Sequence, residues 1–491
     1  MSINQRSLQN FVVLLSLLLS LLAPPLNAQP RPKPEREFRA VWIATVDNID
    51  FPTQKGLPPE KQKAELLASL DLAKKLRLNA VIFQVRPMAD AVYRSQLEPW
   101  SEFLTGEMGK PQDFDPLEFV VSEAHKRGIL VHAWFNPYRA YHPSARTMSD
   151  DHVARRKPTA VRQYGRYMWL DPTSPEAQRH SLDVIEDVVR RYDVDGVHFD
   201  DYFYPYAEND AAGHAIEFPD DTNWAEYQKT DGKLSRDDWR RSNVNSFIEA
   251  VGRAIKKIKP DVVYGISPFG IWQPVPEKGI AGFNAYAELY ADSRKWLQDG
   301  TVDYLSPQFY WETSRKGLSF PVLLDWWSAQ NTKGRFIWPG VAAYRIGSTP
   351  TFTSGEIASQ IAATRLTSLT SGAIYFSFKS LRNDMGGIQK ALSEDVYKHE
   401  AIIPEFTWIK SSRPSPPKVS IRSGIDYIRV SWKEVGNRKA FWFVVYAKDK
   451  DGWSYSILPA SEHKISLSAD RRIEKIIVTS VDRLGRESAG K

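Results

Sequence analysis

The sequence contains no cysteine. Disulfide bonds, zinc sites with thiolate ligands and thiol nucleophiles are therefore excluded, as is a lipid-modified amino-terminal cysteine. The metal-binding spacings HxH and HExxH are also missing. We therefore predict that the histidines are neutral residues of the core rather than metal ligands. We expect neither a metal nor another cofactor, although a metal-dependent hydrolase stays open as an alternative.

Long hydrophobic runs are missing after residue 28, where no segment approaches 18 apolar residues. Residues 1–28 carry Arg6, an apolar run from Phe11 to Leu22 and the small-residue end LNA. The run is short for a membrane span, so it predicts a cleaved secretory signal. An uncleaved anchor is the alternative. Both the cleaved signal and the uncleaved anchor predict a secreted or periplasmic protein. If the signal is cleaved, we expect that the mature protein is not stably inserted in a membrane.

A dense stripe of basic residues is also missing, since 65 Lys and Arg are balanced by 59 Asp and Glu for a net charge of +6. This balance argues against a dedicated nucleic-acid binder. The 16 Trp and 21 Tyr are instead numerous, and such rings stack on flat ligand faces such as those of sugars. Nothing in the sequence indicates the oligomeric state.

Short apolar runs alternate with amphipathic helical patterns through residues 38–400. Eight βα units in succession predict an α/β fold, a closed (β/α)8 barrel. A doubly wound open sheet is disfavoured, because no glycine-rich phosphate loop follows the first run. The predicted strands are Phe38–Val46, Ala80–Arg86, Ile129–Asn136, Gly196–Tyr202, Val262–Phe269, Val302–Tyr310, Phe336–Tyr344 and Ala373–Ser380.

The flanking segments differ in character. A Pro-rich leader is predicted at residues 29–37 and a Pro-rich linker at 401–417. Residues 418–491 contain strand patterns without helical periodicity, with Trp432 early and Tyr446 in a central strand, and the predicted strands are Tyr427–Trp432, Phe441–Ala447, Lys464–Leu467 and Ile473–Val481. They predict a small β-sandwich of immunoglobulin type that resembles a fibronectin type III domain, with a role in binding, spacing or capping.

Polar residues occupy the ends of four predicted strands, which is where the active site of such a barrel lies. Side chains alternate with a period of two, so the polar positions share inward faces while Phe83, Val85, Val197 and Phe199 should face the helices. Asp200, on an inward face, is the preferred ionised carboxylate, because a carboxylate in a buried strand needs partners or a ligand. A structural ion pair or cap is the alternative.

Glycoside hydrolysis usually uses a second carboxyl group as the acid. Glu312, on the inward parity of the sixth strand, is the first candidate, and Asp201 is its competitor; Glu312 as an ordinary solvated loop acid is the alternative. The remaining inward or nearby positions are candidates for substrate binding, although the aromatic ones also suit packing: Gln84, Arg86, His132, Trp134, Asn136, Tyr138, His198, Tyr202, Gln308, Tyr310 and Trp311.

Five segments carry a resemblance to the bacterial glycosyl-hydrolase-like 10 family. They are FRAVWIATV (38–46), NAVIFQVRP (79–87), HAWFNPYR (132–139), DGVHFDDYFYP (195–205) and SPQFYW (306–311). The resemblance covers about residues 36 to 400 in order. It implies a (β/α)8 catalytic domain, a signal sequence, often a fibronectin-type tail, and cleavage of bacterial cell-wall glycan strands, including peptidoglycan stripped of its peptides.

The fourth strand also looks like the chitinase signature, but it departs from that pattern at two positions. His198 stands where the pattern has an acid, and Tyr202 occupies the place of its terminal Glu, so the motif does not carry chitinase chemistry over. The sequence thus predicts a secreted glycoside hydrolase acting on a polysaccharide. A carbohydrate-binding or cell-wall scaffold protein that has lost turnover is the alternative.

Overall fold

The computed structural model describes residues 31–367 and 369–490, so the predicted signal peptide lies outside the described residues. Eight parallel strands, β1 to β8, form a closed barrel. β7 is divided into two short consecutive segments. The first segment pairs with β6 and the second pairs with β8, so the sheet closes on itself through β7. The strands are Phe38–Ile43, Ala80–Arg86, Leu130–Phe135, Gly196–Phe199, Val263–Ile266, Tyr304–Leu305, Phe336–Ile337 with Gly340–Val341, and Gly372–Tyr375.

A helix follows each barrel strand and packs outside the sheet. Proline at the first position begins α1, α2 and α3, where its missing N–H costs no hydrogen bond. The helices α1 to α8 are Pro59–Lys75, Pro116–Lys126, Pro175–Arg191, Arg236–Ile258, Ser293–Asp299, Phe320–Gln330, Ser354–Leu366 and Ile388–Lys390, the last continuing as a π-helix over Ala391–Val396. The predicted (β/α)8 barrel is confirmed.

The alternation of side chains along the strands separates two layers of the core. Phe83, Val85, Val197 and Phe199 belong to the cluster between sheet and helices, as predicted from their parity. Trp42, Trp134 and Tyr304 fill the barrel interior with other large side chains. The prediction of inward and outward faces is therefore confirmed for these positions.

Several strands are shorter than their patterns suggest. β6 was expected to run to Tyr310, but it ends at Leu305, ahead of Pro307, and resumes only as an isolated bridge at Gln308. β7 is divided at Pro339. Proline has no N–H for the ladder, so both interruptions fall where the sequence would place them.

Additional elements enlarge the loops at the carboxyl ends of β3 and β4. A three-stranded antiparallel sheet follows β3 and a short helix follows β4. Active-site loops of such barrels lie at this end, so these insertions surround the site described below. The sheet comprises Arg139–Tyr141, Val161–Tyr164 and Tyr167–Leu170, and the helix is Asp221–Lys229; shorter helices are Glu102–Thr105, Val153–Arg156, Ala285–Glu288 and Phe378–Arg382.

The C-terminal region is a small all-β domain of six strands, β9 to β14. Two three-stranded antiparallel sheets have the orders β9-β10-β13 and β12-β11-β14, and Trp432, Phe443 and Val478 belong to the core between them. β9 and β12 were not among the predicted strands. The six are Lys418–Ser423, Tyr427–Lys433, Trp442–Asp449, Gly452–Pro459, Lys464–Ser468 and Lys475–Val481.

This domain packs against the amino-terminal ends of the barrel strands, opposite the loops that enclose the site. The Trp442 indole donates to the Gly128 carbonyl at 2.9 Å, just before β3. Arg483 lies 2.9 Å from Asp193 and 3.4 Å from Asp195, just before β4. Within the predicted linker and leader, Ala401–Ile402 pairs in parallel with Glu35–Arg36. The small domain therefore caps the bottom of the barrel.

Trp442→Ala is expected to lower the free energy of unfolding by about 3–5 kcal/mol, the usual range for truncating a buried tryptophan. Trp442 is 3% exposed, and its loss also leaves the Gly128 carbonyl without its donor. Urea denaturation measures the change. Tyr427→Ala is the control, because this ring of the same domain is 42% exposed. Equal effects for the two variants would contradict a packed interface.

Within the described residues, no helix combines the length and the apolar character that crossing a membrane requires. The predicted domain boundaries at residues 400 and 417 and the fibronectin type III assignment stay predictions.

Candidate active site

The carboxyl ends of the barrel strands surround a cavity of about 310 Å³. Six residues predicted for the site line it: Trp134, Asp200, Asp201, Tyr202, Gln308 and Tyr310. They come from the ends of β3, β4 and β6, which the barrel brings to one mouth. The predicted convergence of strand ends thus gives a cavity with aromatic walls and a pair of carboxyl groups.

Asp200 and Asp201 follow β4 directly and form a hydrogen-bonded acid pair. The Asp201 N–H donates to Asp200 Oδ1 at 3.0 Å. Asp201 is 4% exposed, and the Tyr206 hydroxyl donates to its Oδ2. Burial, and then the neighbouring Asp200, raise the pKa of Asp201 well above its ordinary value. Both effects favour the protonated form of Asp201.

Asp200 is half-buried and accepts hydrogen bonds from two side-chain amides. Asn136 Nδ2 donates to its Oδ2 and Gln308 Nε2 donates to its Oδ1, each at 3.4 Å. Gln308 Nε2 is also held by the Ser267 carbonyl at 3.1 Å. Both bonds to Asp200 are long, so this carboxylate keeps accepting capacity toward the cavity.

Hydrogen bonds from Gln84 and Arg139 fix the orientation of the Asn136 amide. Its Oδ1 accepts from Gln84 Nε2 at 2.6 Å and from Arg139 Nη2 at 3.1 Å, which turns Nδ2 toward Asp200. Gln84 Oε1 in turn accepts the N–H groups of Thr45 and Val46. Gln84 and Asn136 are fully buried. We expected them to bind substrate; the structure places them beneath Asp200, outside the lining of the cavity.

His132 and His198 lie below the cavity and share the Tyr304 hydroxyl, at 2.8 and 2.9 Å from their Nδ1 atoms. The Trp42 indole donates to His198 Nε2 at 3.1 Å. Desolvation lowers the pKa of His132 to about 4 and that of His198 well below its ordinary value. Both rings are therefore neutral. His198 holds Trp42 in the cavity wall, and neither histidine lines the cavity.

Arg86 was also expected to bind substrate, but the structure places it in a buried ion pair away from the cavity. Its Nε lies 2.8 Å from Glu98 Oε2, both side chains are fully buried, and His180 Nε2 lies 2.9 Å from Glu98. Burial alone would raise the pKa of Glu98, but the charge of Arg86 and the bonds from His180 and Arg86 lower it to about 2. The Arg86 guanidinium is thus engaged by Glu98 and does not line the cavity.

Three other predicted residues do not line the cavity. Tyr138 packs against Phe247 of α4, on the helix side of the sheet, and Trp311 packs against Phe269. Glu312 accepts hydrogen bonds from the Thr349 hydroxyl at 2.6 Å and the Thr351 hydroxyl at 2.7 Å. These bonds lower the pKa of Glu312. A carboxylate kept ionised in this way is unsuited to donate a proton.

The prediction did not include eight residues that line the cavity: Trp42, Ala44, Val46, Ile49, Arg139, Tyr206, Ser267 and Phe376. Trp42 shares the parity of Phe38 and Ala40 in β1, so the alternation would have found it. Tyr206 and Arg139 follow their strands by several residues, where no periodicity applies. Among the described residues, no group of three His, Asp or Glu is arranged to hold a metal ion.

Fold and site together define a class of protein. A closed (β/α)8 barrel with paired carboxyl groups and aromatic side chains at the carboxyl ends of its strands is an architecture of glycoside hydrolases. Residues 37–354 match the family described as Glycosyl hydrolase-like 10. The chain belongs to this family, and glycoside hydrolysis is the chemistry that the assignment supports.

Two relatives are similar over most of the chain. Glycosyl hydrolase YngK of Bacillus subtilis (strain 168) is 41% identical over 432 residues, covering 86% of this chain and 83% of that protein. Glycosyl hydrolase DigH of Escherichia coli (strain K12) is 35% identical over 355 residues, covering 67% of this chain and 79% of that protein. Both relatives bear the name of glycosyl hydrolases.

Solved structures show more distant likeness. The glycoside hydrolase domain of PgaB (BpsB) from Bordetella bronchiseptica is 16% identical with a TM-score of 0.47, covering 73% of this chain and 99% of that one. An alpha-amylase from Geobacillus thermoleovorans is 13% identical with a TM-score of 0.41, covering 90% and 98%. The family assignment rests on the sequence matches.

Proposed function

We propose that this protein is a secreted glycoside hydrolase that cleaves O-glycosidic bonds in bacterial cell-wall glycan strands. The observation that carries the proposal is the Asp200–Asp201 pair, which lies in a cavity walled by aromatic rings, where burial and the neighbouring carboxyl group raise the pKa of Asp201. A buried acid that stays protonated beside a carboxylate is what bond cleavage with proton transfer to a leaving oxygen requires.

The two carboxyl groups receive different roles from their surroundings. Asp201 is the proton donor to the glycosidic oxygen, since it is buried and its pKa is raised. Asp200 is the carboxylate that stabilises positive charge at the reacting sugar, since two amides orient it toward the cavity. Asp201 therefore replaces Glu312 as the proposed acid.

The choice of cell-wall glycan rests on the family resemblance and is supported by charge. Arg139 lines the cavity, stacks 5.1 Å from the ring centroid of Tyr202 and places a guanidinium near the acid pair. Muramic acid that carries no peptide has a free lactyl carboxylate, which a guanidinium binds well. Secretion is supported by the signal-like residues 1–28.

For the C-terminal domain we propose a fibronectin type III fold that caps the barrel. The strand orders β9-β10-β13 and β12-β11-β14 support the fold, and contacts such as that between Trp442 and Gly128 support the capping role. This position is remote from the cavity.

The proposal is tested with purified glycan strands, with and without attached peptides, whose products are analysed by mass spectrometry. We expect ordinary reducing ends from peptide-free strands, and activity that persists after exhaustive chelation. Anhydro ends would indicate lytic cleavage and contradict hydrolysis. Strand binding without any product would favour the scaffold protein instead.

The rate should depend on pH through Asp201. Because the reaction needs the protonated acid, kcat/KM is expected to fall as pH rises through the raised pKa of Asp201. For Asp201→Asn this fall of kcat/KM with rising pH is expected to disappear, because asparagine does not titrate. Initial rates of reducing-end release across a pH series measure it. A wild-type rate that keeps rising into the alkaline range would count against Asp201 as the acid.

A further inference from the structure

The separation of the two carboxyl groups limits the mechanism. A retaining enzyme with its own nucleophile holds its carboxyl groups about 5 Å apart, and an inverting one about 6.5–9.5 Å apart, so that they flank the sugar. Asp200 and Asp201 are consecutive residues just after β4, and the Asp201 N–H donates to Asp200 Oδ1 at 3.0 Å. Two neighbours at the end of one strand lie on the same side of a sugar that enters the cavity, so they do not flank it.

A partner carboxylate across the sugar is not found among the described residues that line the cavity, where Asp200 and Asp201 are the acidic side chains. Asp50 lies behind the wall, with its oxygens accepting from the Ala44 N–H and the Ser377 hydroxyl, each at 2.8 Å. Glu312 is held outside by Thr349 and Thr351. The described residues that line the cavity thus offer no carboxylate for attack from the opposite face.

We infer that the substrate supplies the nucleophile, and that the sugar at the cleavage site carries a 2-acetamido group whose carbonyl oxygen attacks C1. The inference rests on the proposed function and names its substrate class, the 2-acetamido sugars. It comes from the geometry of the acid pair, and not from the strand-four motif, which departs from the chitinase signature.

In the first step the amide oxygen forms a bond to C1 while the bond between C1 and the glycosidic oxygen breaks. The leaving oxygen takes the proton of Asp201, and the sugar becomes an oxazolinium ring whose N–H is hydrogen-bonded to Asp200. In the second step water forms a bond to C1 and returns a proton to Asp201, while the bond from C1 to the amide oxygen breaks. One water is consumed, the acetamido group is restored, and C1 retains its configuration.

The surroundings of Asp200 suit its part in these steps. Its two hydrogen bonds are long, at 3.4 Å each, so it can accept a third from the acetamido N–H. The donors Asn136 and Gln308 are themselves anchored by Gln84 and by the Ser267 carbonyl. A carboxylate held in place before the ring forms stabilises the charge that develops on the nitrogen.

Calorimetric titration with a 2-methylthiazoline-fused N-acetylglucosamine, a stable mimic of the ring, tests the inference. Wild type is expected to bind it at least about 100-fold more tightly than N-acetylglucosamine, because mimics of the transition state bind more tightly than substrates. Asp200→Asn is expected to weaken binding by at least about 10-fold through loss of the charged hydrogen bond. Asp325→Asn, the same change on an exposed position of α6, is the control.

Equal affinity of wild type for the thiazoline and the parent sugar would overturn the inference, whatever the variants do. A second series uses aryl glycosides whose acetyl group carries one, two or three fluorines. Their cleavage is expected to slow with each fluorine, since the amide oxygen becomes a weaker nucleophile, and unchanged rates would also overturn the inference. Failure to cleave any glycoside would instead contradict the proposed function, while the titration would still decide whether the site fits the ring.

Discussion

Asp201→Asn is expected to lower kcat for glycan cleavage by about 10²–10⁴-fold, the usual contribution of a general acid. Asparagine keeps the size of the side chain but has no proton to give to the leaving oxygen. Glycan binding should change little, since Asp201 is 4% exposed. Reducing-end release measures kcat, and pull-down on glycan strands measures binding.

Two further variants make this result specific. Glu312→Gln is expected to keep kcat within a few-fold, because Glu312 is bound to Thr349 and Thr351 outside the cavity. Asp325→Asn reports any general effect of removing an exposed aspartate. If Glu312→Gln abolished cleavage while Asp201→Asn left it intact, the assignment of the acid would be refuted.

Arg86→Met is expected to destabilise the fold by about 3–5 kcal/mol, because it leaves Glu98 as a buried charge without its main partner. Arg86 also donates to the carbonyls of Asn136 and Pro137, each at 2.9 Å. The free energy of unfolding from urea denaturation measures the loss. The double variant Arg86→Met with Glu98→Gln should recover part of it, since no buried charge is then left alone.

The matched control is Lys229→Met, which removes a cation from an exposed pair with Glu226 and should cost less than about 1 kcal/mol. The Arg86–Glu98 pair also makes the free energy of unfolding depend on pH. Because the pKa of Glu98 is lowered from 4.5 to about 2, the stabilisation by this pair is present above pH 4.5 and is lost as pH falls toward 2. Weaker substrate binding by Arg86→Met at unchanged stability would instead show that Arg86 contacts the glycan.

The barrel was predictable because its signals are local and repeated. Strands such as Ala80–Arg86 and helices such as Pro175–Arg191 combine periodicity with proline or capping residues at their starts. Strand ends were predicted less well, because the apolar runs continue past Pro307 and Pro339 and so concealed the interruptions that these prolines cause in β6 and β7. The strand Lys418–Ser423 was missed although Val419 and Ile421 alternate with polar residues, and all six of its residues are exposed in the structure.

The site was predictable only where strand parity applies. Parity placed Trp134 and Asp200 toward the cavity, but it does not tell how deep an inward side chain lies. His132 and His198 share the inward parity and lie one layer below, and Arg86 turns to Glu98, a partner twelve residues away in the sequence. Which acid pairs with Asp200 depends on how the chain bends after β4, and this is a three-dimensional property.

The most direct test of the central claim, hydrolysis by the Asp200–Asp201 pair, is cleavage of glycan strands in water enriched in oxygen-18. Products are reduced at once with borohydride so that exchange at the new end is prevented. We predict that wild type places the label on C1 of each new reducing end, and that Asp201→Asn gives almost none. Anhydro ends without label, or equal labelling by the variant, would contradict the account.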